Sequence, residues 1–336
     1  VTEENSIKVS CYDLNLGIEC ELEAQIITPG SIVLNSRIFN EIIRKLPDEN
    51  ISITVDERLL AVIKGGLSEF TILGTPASDF PEIPKVEDGK SLNLKQDILK
   101  SMISQTIFAV SVSDNRPVLT GSLFDIAGDS LKVVSVDGFR LALREESISN
   151  TIGQDKLSFI VPGKTLTEIS KILRDTDDEV SITISRKHIL FSFDRITLVS
   201  RLIDGDFLNY DNVIPKESKV TAVIDVRKLI DSFERATLLI NEKIKSPVIC
   251  TFDYDTVRIN CKTSMGNVYD EISSKITGET LEIGVNNRYM LDALRACGHD
   301  TVIFEMSSSL SPIVIRPIEG NEFTFIVVPM RYRADD

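Results

Sequence analysis

The chain has 336 residues, 42% of them hydrophobic and 26% charged, with a net charge of −14. That length supports two or three domains with a large buried core, and the composition is that of an ordinary globular protein with no low-complexity segment. The acidic balance argues against general adhesion to nucleic acid, and no run of 18 apolar residues exists to suggest a membrane span.

Residues 5–23 read as strand, turn and strand. Residues 31–46 (SIVLNSRIFNEIIRKL) follow as a short apolar run, a polar cap and a helix burying Phe39, Ile42, Ile43 and Leu46. Alternating strands come next, with Gly65-Gly66 as a hairpin signal. A second helix is predicted over 95–107, then strand, turn and strand over 129–147, where Asp137-Gly138 marks the turn. Residues 158–173 (SFIVPGKTLTEISKIL) repeat the pattern of 31–46 at an offset of 127, with Leu166, Ile169 and Leu173 on the helix face turned to the core. A fourth helix is predicted over 226–238, strand, turn and strand over 255–273, and a third copy of the strand–helix pattern over 281–297. The chain closes on the apolar run Phe325–Met330.

These self-matches define a period of about 125 residues, each an α+β module of antiparallel strands with two helices. The predicted domains are 1–88, 89–216 and 217–336, divided at the polar, proline-bearing stretches 84–91 and 215–220. Residues 1–88 match only the back part of a period. With Val1 in place of a start methionine, about 40 preceding residues are expected to be missing. No charged-then-apolar leader pattern opens the chain.

The helices carry a charge pattern of their own. Arg37, Glu41, Arg44; Lys164, Glu168, Lys171; and Arg288, Asp292, Arg295 each form a basic–acidic–basic stripe at i, i+4, i+7. Across the five predicted helices, taken as 36–46, 95–107, 164–174, 226–238 and 287–297, thirteen Lys and Arg stand against six Asp and Glu. Basic helices on an acidic body can hold a polyanion in one place and repel it elsewhere. Read blandly, the stripes are solvated faces tied by weak ion pairs.

Little points to catalysis. There is no P-loop, G-x-G-x-x-G, G-x-S-x-G or H-E-x-x-H. His188 lies in a strand pattern and His299 after a helix end, both read as structural or surface. Cys11, Cys20, Cys250, Cys261 and Cys297 lack C-x-x-C spacing and are expected as reduced, buried thiols, neither disulfides nor zinc ligands. No cofactor or metal is expected. The apolar close of the chain and the 136–141 turn would, if they met, line a groove for short apolar peptides; ordinary core is the alternative.

The runs Arg116–Gly121 (RPVLTG), Ser135–Ala142 (SVDGFRLA), Leu202–Phe207 (LIDGDF), Val213–Lys216 (VIPK) and Pro329-Met330-Arg331 together resemble the bacterial β sliding clamp family, in order along the whole chain. The resemblance implies a non-catalytic processivity subunit of replicative DNA polymerase, cytoplasmic and associated with the nucleoid. It implies three DNA-clamp domains per chain and two chains closing head to tail into a homodimeric ring. Helices would line a hole that encircles duplex DNA without reading sequence, and sheets would form the rim. The DNA-facing residues would be Arg37, Arg44, Lys95, Lys100, Lys164, Lys171, Arg227, Arg235, Arg288 and Arg295.

Carried over by position, the family's partner groove would be lined by Leu119, Val136, Gly138, Phe139, Arg140, Leu141, Leu208, Val213, Asn286, Tyr289, Leu310, Pro312, Ile326, Val327, Val328, Pro329, Met330 and Arg331. It would take short apolar motifs of the replicative polymerase, the clamp loader and repair polymerases. Leu208 stands where many members have Pro, Phe139 replaces a frequent His, and the tail past Arg331 is longer. Subunits would join through Ile38, Phe70 and Ile72 on one side and Val268, Tyr269 and Ile272 on the other. Two other readings remain open: a triplicated α+β interaction scaffold without a DNA role, and an enzyme or small-ligand binder built from the same repeats.

Overall fold

The computed structural model describes all residues except 48–49, 87, 114, 150–155, 241–245 and 333–336. The described chain is α+β, its strands pairing antiparallel within each of the units below. Five helices appear where the repeats place them: α1 (Ser36–Lys45), α2 (Gln96–Ser104), α3 (Gly163–Ile172), α4 (Val226–Thr237) and α5 (Asn287–Ala296). Lys95, expected inside the second helix, instead stands just before it in extended backbone, its side chain making no capping bond. That helix also stops at Ser104, where the chain turns into a short 3-10 segment at Ile107–Ala109.

Local chemistry sets the starts of α1, α4 and α5. The side chains of Asn35, Asp225 and Asn286 accept hydrogen bonds from the backbone N–H groups of Ile38, Lys228 and Tyr289, at 3.1, 3.0 and 3.2 Å. Each satisfies a donor that the helix itself leaves unpaired. The two hairpin signals turn as expected: Gly66 and Gly138 have φ of 58° and 95°.

The chain gathers into two compact units, Val1–Lys90 with Val180–Arg201, and Ser91–Glu179 with Leu202–Asp336. In the first, Ser52–Val55, Leu60–Gly65 and Ser68–Leu73 form a three-stranded sheet in that order. Ser6–Tyr12, Leu16–Glu23, Ile196–Arg201, His188–Phe193 and the strand at 180–184 run as consecutive neighbours in another sheet. Helix α1 buries only Ile42; Phe39, Ile43 and Leu46 stay half-buried.

The second unit is built on a nine-stranded sheet. Its order is Leu157–Pro162, Gly121–Ala127, Ser130–Val136, Arg140–Ser147, Phe323–Val327, Ile313–Pro317, Thr301–Met306, Val220–Asp225 and Lys275–Thr277. The central pairing, Arg140–Ser147 with Phe323–Val327, sets Leu141 opposite Ile326 and Arg140 opposite Val327. One core lies beneath α4 and α5 and includes Phe233, Met290, Leu294, Phe304, Phe325 and Val327. A second includes Leu119, Val136, Leu141, Tyr210, Val314 and Ile326. A four-stranded sheet, Gly266–Ser273, Thr256–Thr263, Val248–Asp253 and Leu281–Val285, completes the unit.

The cysteines correct one expectation. All five are free, and Cys250, Cys261 and Cys297 are buried, but Cys11 is exposed and Cys20 partly so. Both lie on strands Ser6–Tyr12 and Leu16–Glu23, most of whose residues are only half-buried or exposed, so an apolar alternation there does not imply burial. Burial pushes the Cys250 thiol up to about 12, as for an inert structural cysteine.

Candidate functional site

The groove expected between the turn and the chain's end is organised by the Asp137–Arg140 loop. Asp137 Oδ1 accepts from the backbone N–H groups of Phe139 and Arg140 at 2.9 and 3.0 Å, closing the turn that Gly138 makes possible. Oδ2 of the same carboxylate accepts from Arg140 Nε at 2.9 Å. Arg140 Nη1 then donates to Asp292 Oδ2 on α5 at 2.6 Å. The guanidinium lies over the rings of Tyr289, 4.4 Å away, and Phe108, 5.5 Å away. Phe139 stacks on Tyr289 with ring centroids 6.1 Å apart.

The chain's end is laid against the same loop. Val328 N–H donates to Phe139 O at 2.9 Å, and Met330 N–H to Gly284 O at 2.8 Å. A Cβ at Gly284 would come within 2.7 Å of the Tyr332 ring and 2.9 Å of Met330 O, so the close approach needs glycine. Tyr332 Oη donates to Glu282 Oε1 at 2.7 Å; burial and this bond push its pKa up to about 12.

The predicted lining separates into three groups. Leu119, Val136, Leu141 and Ile326 are buried and form an apolar floor, with Leu208 packed at its edge. Gly138, Phe139, Val213, Leu310 and Arg331 are exposed, and Tyr289, Pro312, Val328, Pro329 and Met330 are half-buried. These residues can meet a partner. The third group departs from expectation. Val327 is fully buried in the core under α4 and α5, because side chains alternate along a strand and Ile326 takes the groove side. Asn286 is committed to capping α5. Arg140 is 9% exposed and spends its nitrogens on Asp137 and Asp292, so it braces the wall from behind.

Sequence reasoning missed Asp292 as the partner of Arg140, Phe108 beneath it, and the Gly284 and Glu282 contacts of the tail. Asp292 was legible only as the acidic member of a stripe. The Asp137–Arg140 spacing was the one available signal for a local ion pair.

The basic helix residues are mostly open to solvent. Arg37, Arg44, Lys95 and Lys164 are exposed, as are Lys171, Arg227, Arg235, Arg288 and Arg295. Lys100 is half-buried and pairs with Asp175 at 2.8 Å. Arg227 pairs with Asp231 at 3.3 Å, and Lys171 with Glu168 at 2.9 Å. Arg295 reaches across to Glu234 of α4 at 2.7 Å. Arg235 is held by Asp270 and Ser232. Burial raises the Asp270 carboxyl, but the bonds from Arg235 and Ser232 outweigh it and hold its pKa below the usual carboxylate range. In α1 the stripe is wired differently from expectation: Glu41 pairs with Lys45 at 3.4 Å.

Of the residues expected at subunit contacts, Ile38 and Tyr269 are 50% and 57% exposed, and Phe70 is exposed as well. Ile72 and Val268 are half-buried. Ile272 is 6% exposed and belongs to this chain's own core, the side-chain alternation of its strand again deciding the matter. Ile38 lies on α1; the strands bearing the others, Ser68–Leu73 and Gly266–Ser273, each end their sheet and leave one row of backbone groups unpaired within it.

Repeated α+β units of antiparallel sheets with exposed basic helices are the marks of the DNA-clamp class. Family models for the DNA polymerase III beta subunit match throughout: the N-terminal domain at residues 1–84, the central domain at 93–209 and the C-terminal domain at 211–331. The beta sliding clamp of Bacillus subtilis (strain 168) is 32% identical over 343 residues, covering 98% of this chain and 90% of that protein. Among solved structures, the DNA polymerase sliding clamp from Bacillus subtilis matches with a TM-score of 0.92 and 30% identity, covering 98% of this chain and 90% of that one. A putative DNA polymerase III beta subunit from Eubacterium rectale matches with a TM-score of 0.91 and 36% identity, covering 98% and 89%. The chain belongs to the DNA polymerase III beta subunit family, the β sliding clamps, whose members are non-catalytic processivity subunits.

Proposed function

We propose that two copies of this chain close head to tail into a ring around duplex DNA and tether the replicative polymerase, the clamp loader and repair polymerases through the apolar groove. Three clamp domains, 1–88, 89–216 and 217–336, would make up each half of the ring. The observation that carries the reading is the set of exposed basic side chains recurring on α1, α3, α4 and α5 of a chain with net charge −14. Phosphate contacts made by such side chains hold a duplex without reading bases, which sliding requires. Local carboxylates such as Glu41, Glu168 and Asp231 moderate the grip. Enclosure then retains the DNA where affinity alone would not.

The edge strands Ser68–Leu73 and Gly266–Ser273 are suited to pair with each other across a subunit boundary, with Ile38, Phe70 and Tyr269 covering the seam. In the groove, Phe139, Val213, Leu310, Pro329 and Met330 would meet the apolar side chains of a docked peptide above the floor of Leu119, Val136, Leu141 and Ile326. The ring would work in the cytoplasm at the nucleoid.

Reversing charge at Lys164, Lys171, Arg288 and Arg295 should shorten retention on a closed DNA circle, and linearising the circle should release the native ring. Retention that survives linearisation would refute enclosure, and a native chain that is never retained on the closed circle would leave a scaffold without a DNA role.

A further inference from the structure

Helix α5 faces two ways. Tyr289 and Asp292 meet the loop that forms one wall of the groove, whereas Arg288 is 83% exposed. Both arginines address the same atom. Asp292 Oδ2 accepts from Arg140 Nη1 at 2.6 Å and stands 4.0 Å from Arg288 Nε. Arg140 is enclosed by Asp137 and by the rings of Tyr289 and Phe108, so it has nowhere else to go. Arg288 is free to turn toward any other anion. The equivalent Glu41 of α1 and Glu168 of α3 pair with Lys45 and Lys171 of their own helices.

We propose that Asp292 links the DNA-facing side of α5 to the partner groove, so that duplex DNA and docked peptide strengthen each other's binding. A phosphate that draws Arg288 away leaves Asp292 to Arg140 alone. The stronger pair stiffens the Asp137–Arg140 loop and holds Phe139 against Tyr289, which pre-organises the groove wall. Linkage makes the effect reciprocal: an occupied groove favours DNA by the same factor. The shared pair is loose and solvent-facing on the Arg288 side, which limits the coupling to about twofold to fivefold. The inference rests on the DNA and groove assignments proposed above.

The test uses the full chain and a fluorescein-labelled hexapeptide rich in leucine and phenylalanine, its affinity read by anisotropy with and without an excess of a 30-base-pair duplex, at salt low enough for phosphate contacts alone to hold the linear duplex without enclosure. The duplex should tighten peptide binding about twofold to fivefold. Arg288→Gln should bind peptide without duplex as tightly as the native chain binds it with duplex, and should gain nothing further. Asp292→Asn should bind peptide more weakly and lose the response. Equal peptide affinity with and without duplex in the native chain, or a full response retained by Arg288→Gln, would overturn the linkage while leaving groove and DNA binding intact. Absence of any peptide or duplex binding would instead sink the assignments beneath it, and the linkage with them.

Discussion

In α1 the acidic residue set between two arginines, Glu41, reaches Lys45 one turn along the same helix. In α5 the residue at the same place in the pattern, Asp292, reaches off the helix to Arg140 at 2.6 Å. The sequence order of charge is shared, but the surroundings differ. Helix α5 buries Met290, Leu291, Ala293 and Leu294 and presses against the groove loop, whereas α1 buries Ile42 alone. In α5 the groove loop brings the Arg140 guanidinium within reach of the carboxylate, whereas in α1, as in α3, the carboxylate pairs with a lysine of its own helix. A repeated motif therefore preserves a helix face more faithfully than it preserves the wiring of that face.

Removing Arg140 is the severest way to test this contrast. Arg140→Met keeps the stem and deletes the charge, leaving Asp137 and Asp292 facing each other with no cation between them. Breaking a buried pair from one side costs about 3 kcal/mol. For a unit of this size that lowers the melting temperature by roughly 6–12 °C. Arg140→Lys should recover little, since an ammonium cannot span both carboxylates and stack on Tyr289 together. A melting point within a degree of native would mean that the contacts to Asp292 and Asp137 bear no weight.

A middle case is Asp270, a carboxylate on a strand that holds the α4 base Arg235 from outside its helix. Its folded pKa lies below the unfolded value, so the stability it contributes is complete above about pH 3.8 and is lost as pH falls through the folded value. Asp270→Asn should cost about 1 kcal/mol near neutrality, given the half-exposed Arg235. The mutant's stability should also fall less steeply than the native chain's below pH 4. Parallel acid limbs in urea titrations would deny the pairing.

The fold was largely legible because it is repeated. Three copies of one strand–helix pattern fix each other's boundaries, and the five helices fall within about three residues of expectation at each end. The site was legible in part. Apolar side chains at the floor of a groove and in the core beneath it obey the same alternation, so position alone did not separate Ile326 from Val327, or Tyr269 from Ile272. Only the sheet's register and its covering helices decide which side of a strand is closed. Asn286 illustrates another limit: a polar residue ahead of a helix serves as a cap or as a ligand-facing group, and its bond to the Tyr289 N–H settles the matter here. The ion pair of Arg140 with Asp292 joins residues 152 apart, beyond the reach of any local spacing rule.

The smallest effect belongs to Glu41. Both it and Lys45 are well exposed, 54% and 75%, and a pair one turn apart on an open helix is worth no more than about 0.5 kcal/mol. Glu41→Ala should leave the first unit's stability within that margin, since alanine's better helix propensity offsets the lost pair. Its effect should appear instead on DNA, because deleting the carboxylate leaves Arg37, Arg44 and Lys45 without their local counter-charge. Retention on circular DNA should lengthen, and its salt dependence should steepen slightly as a phosphate takes the place of Glu41 beside Lys45. If retention stays unchanged while the reversals on α3 and α5 shorten it, α1 lies away from the DNA and its stripe is an ordinary solvated face.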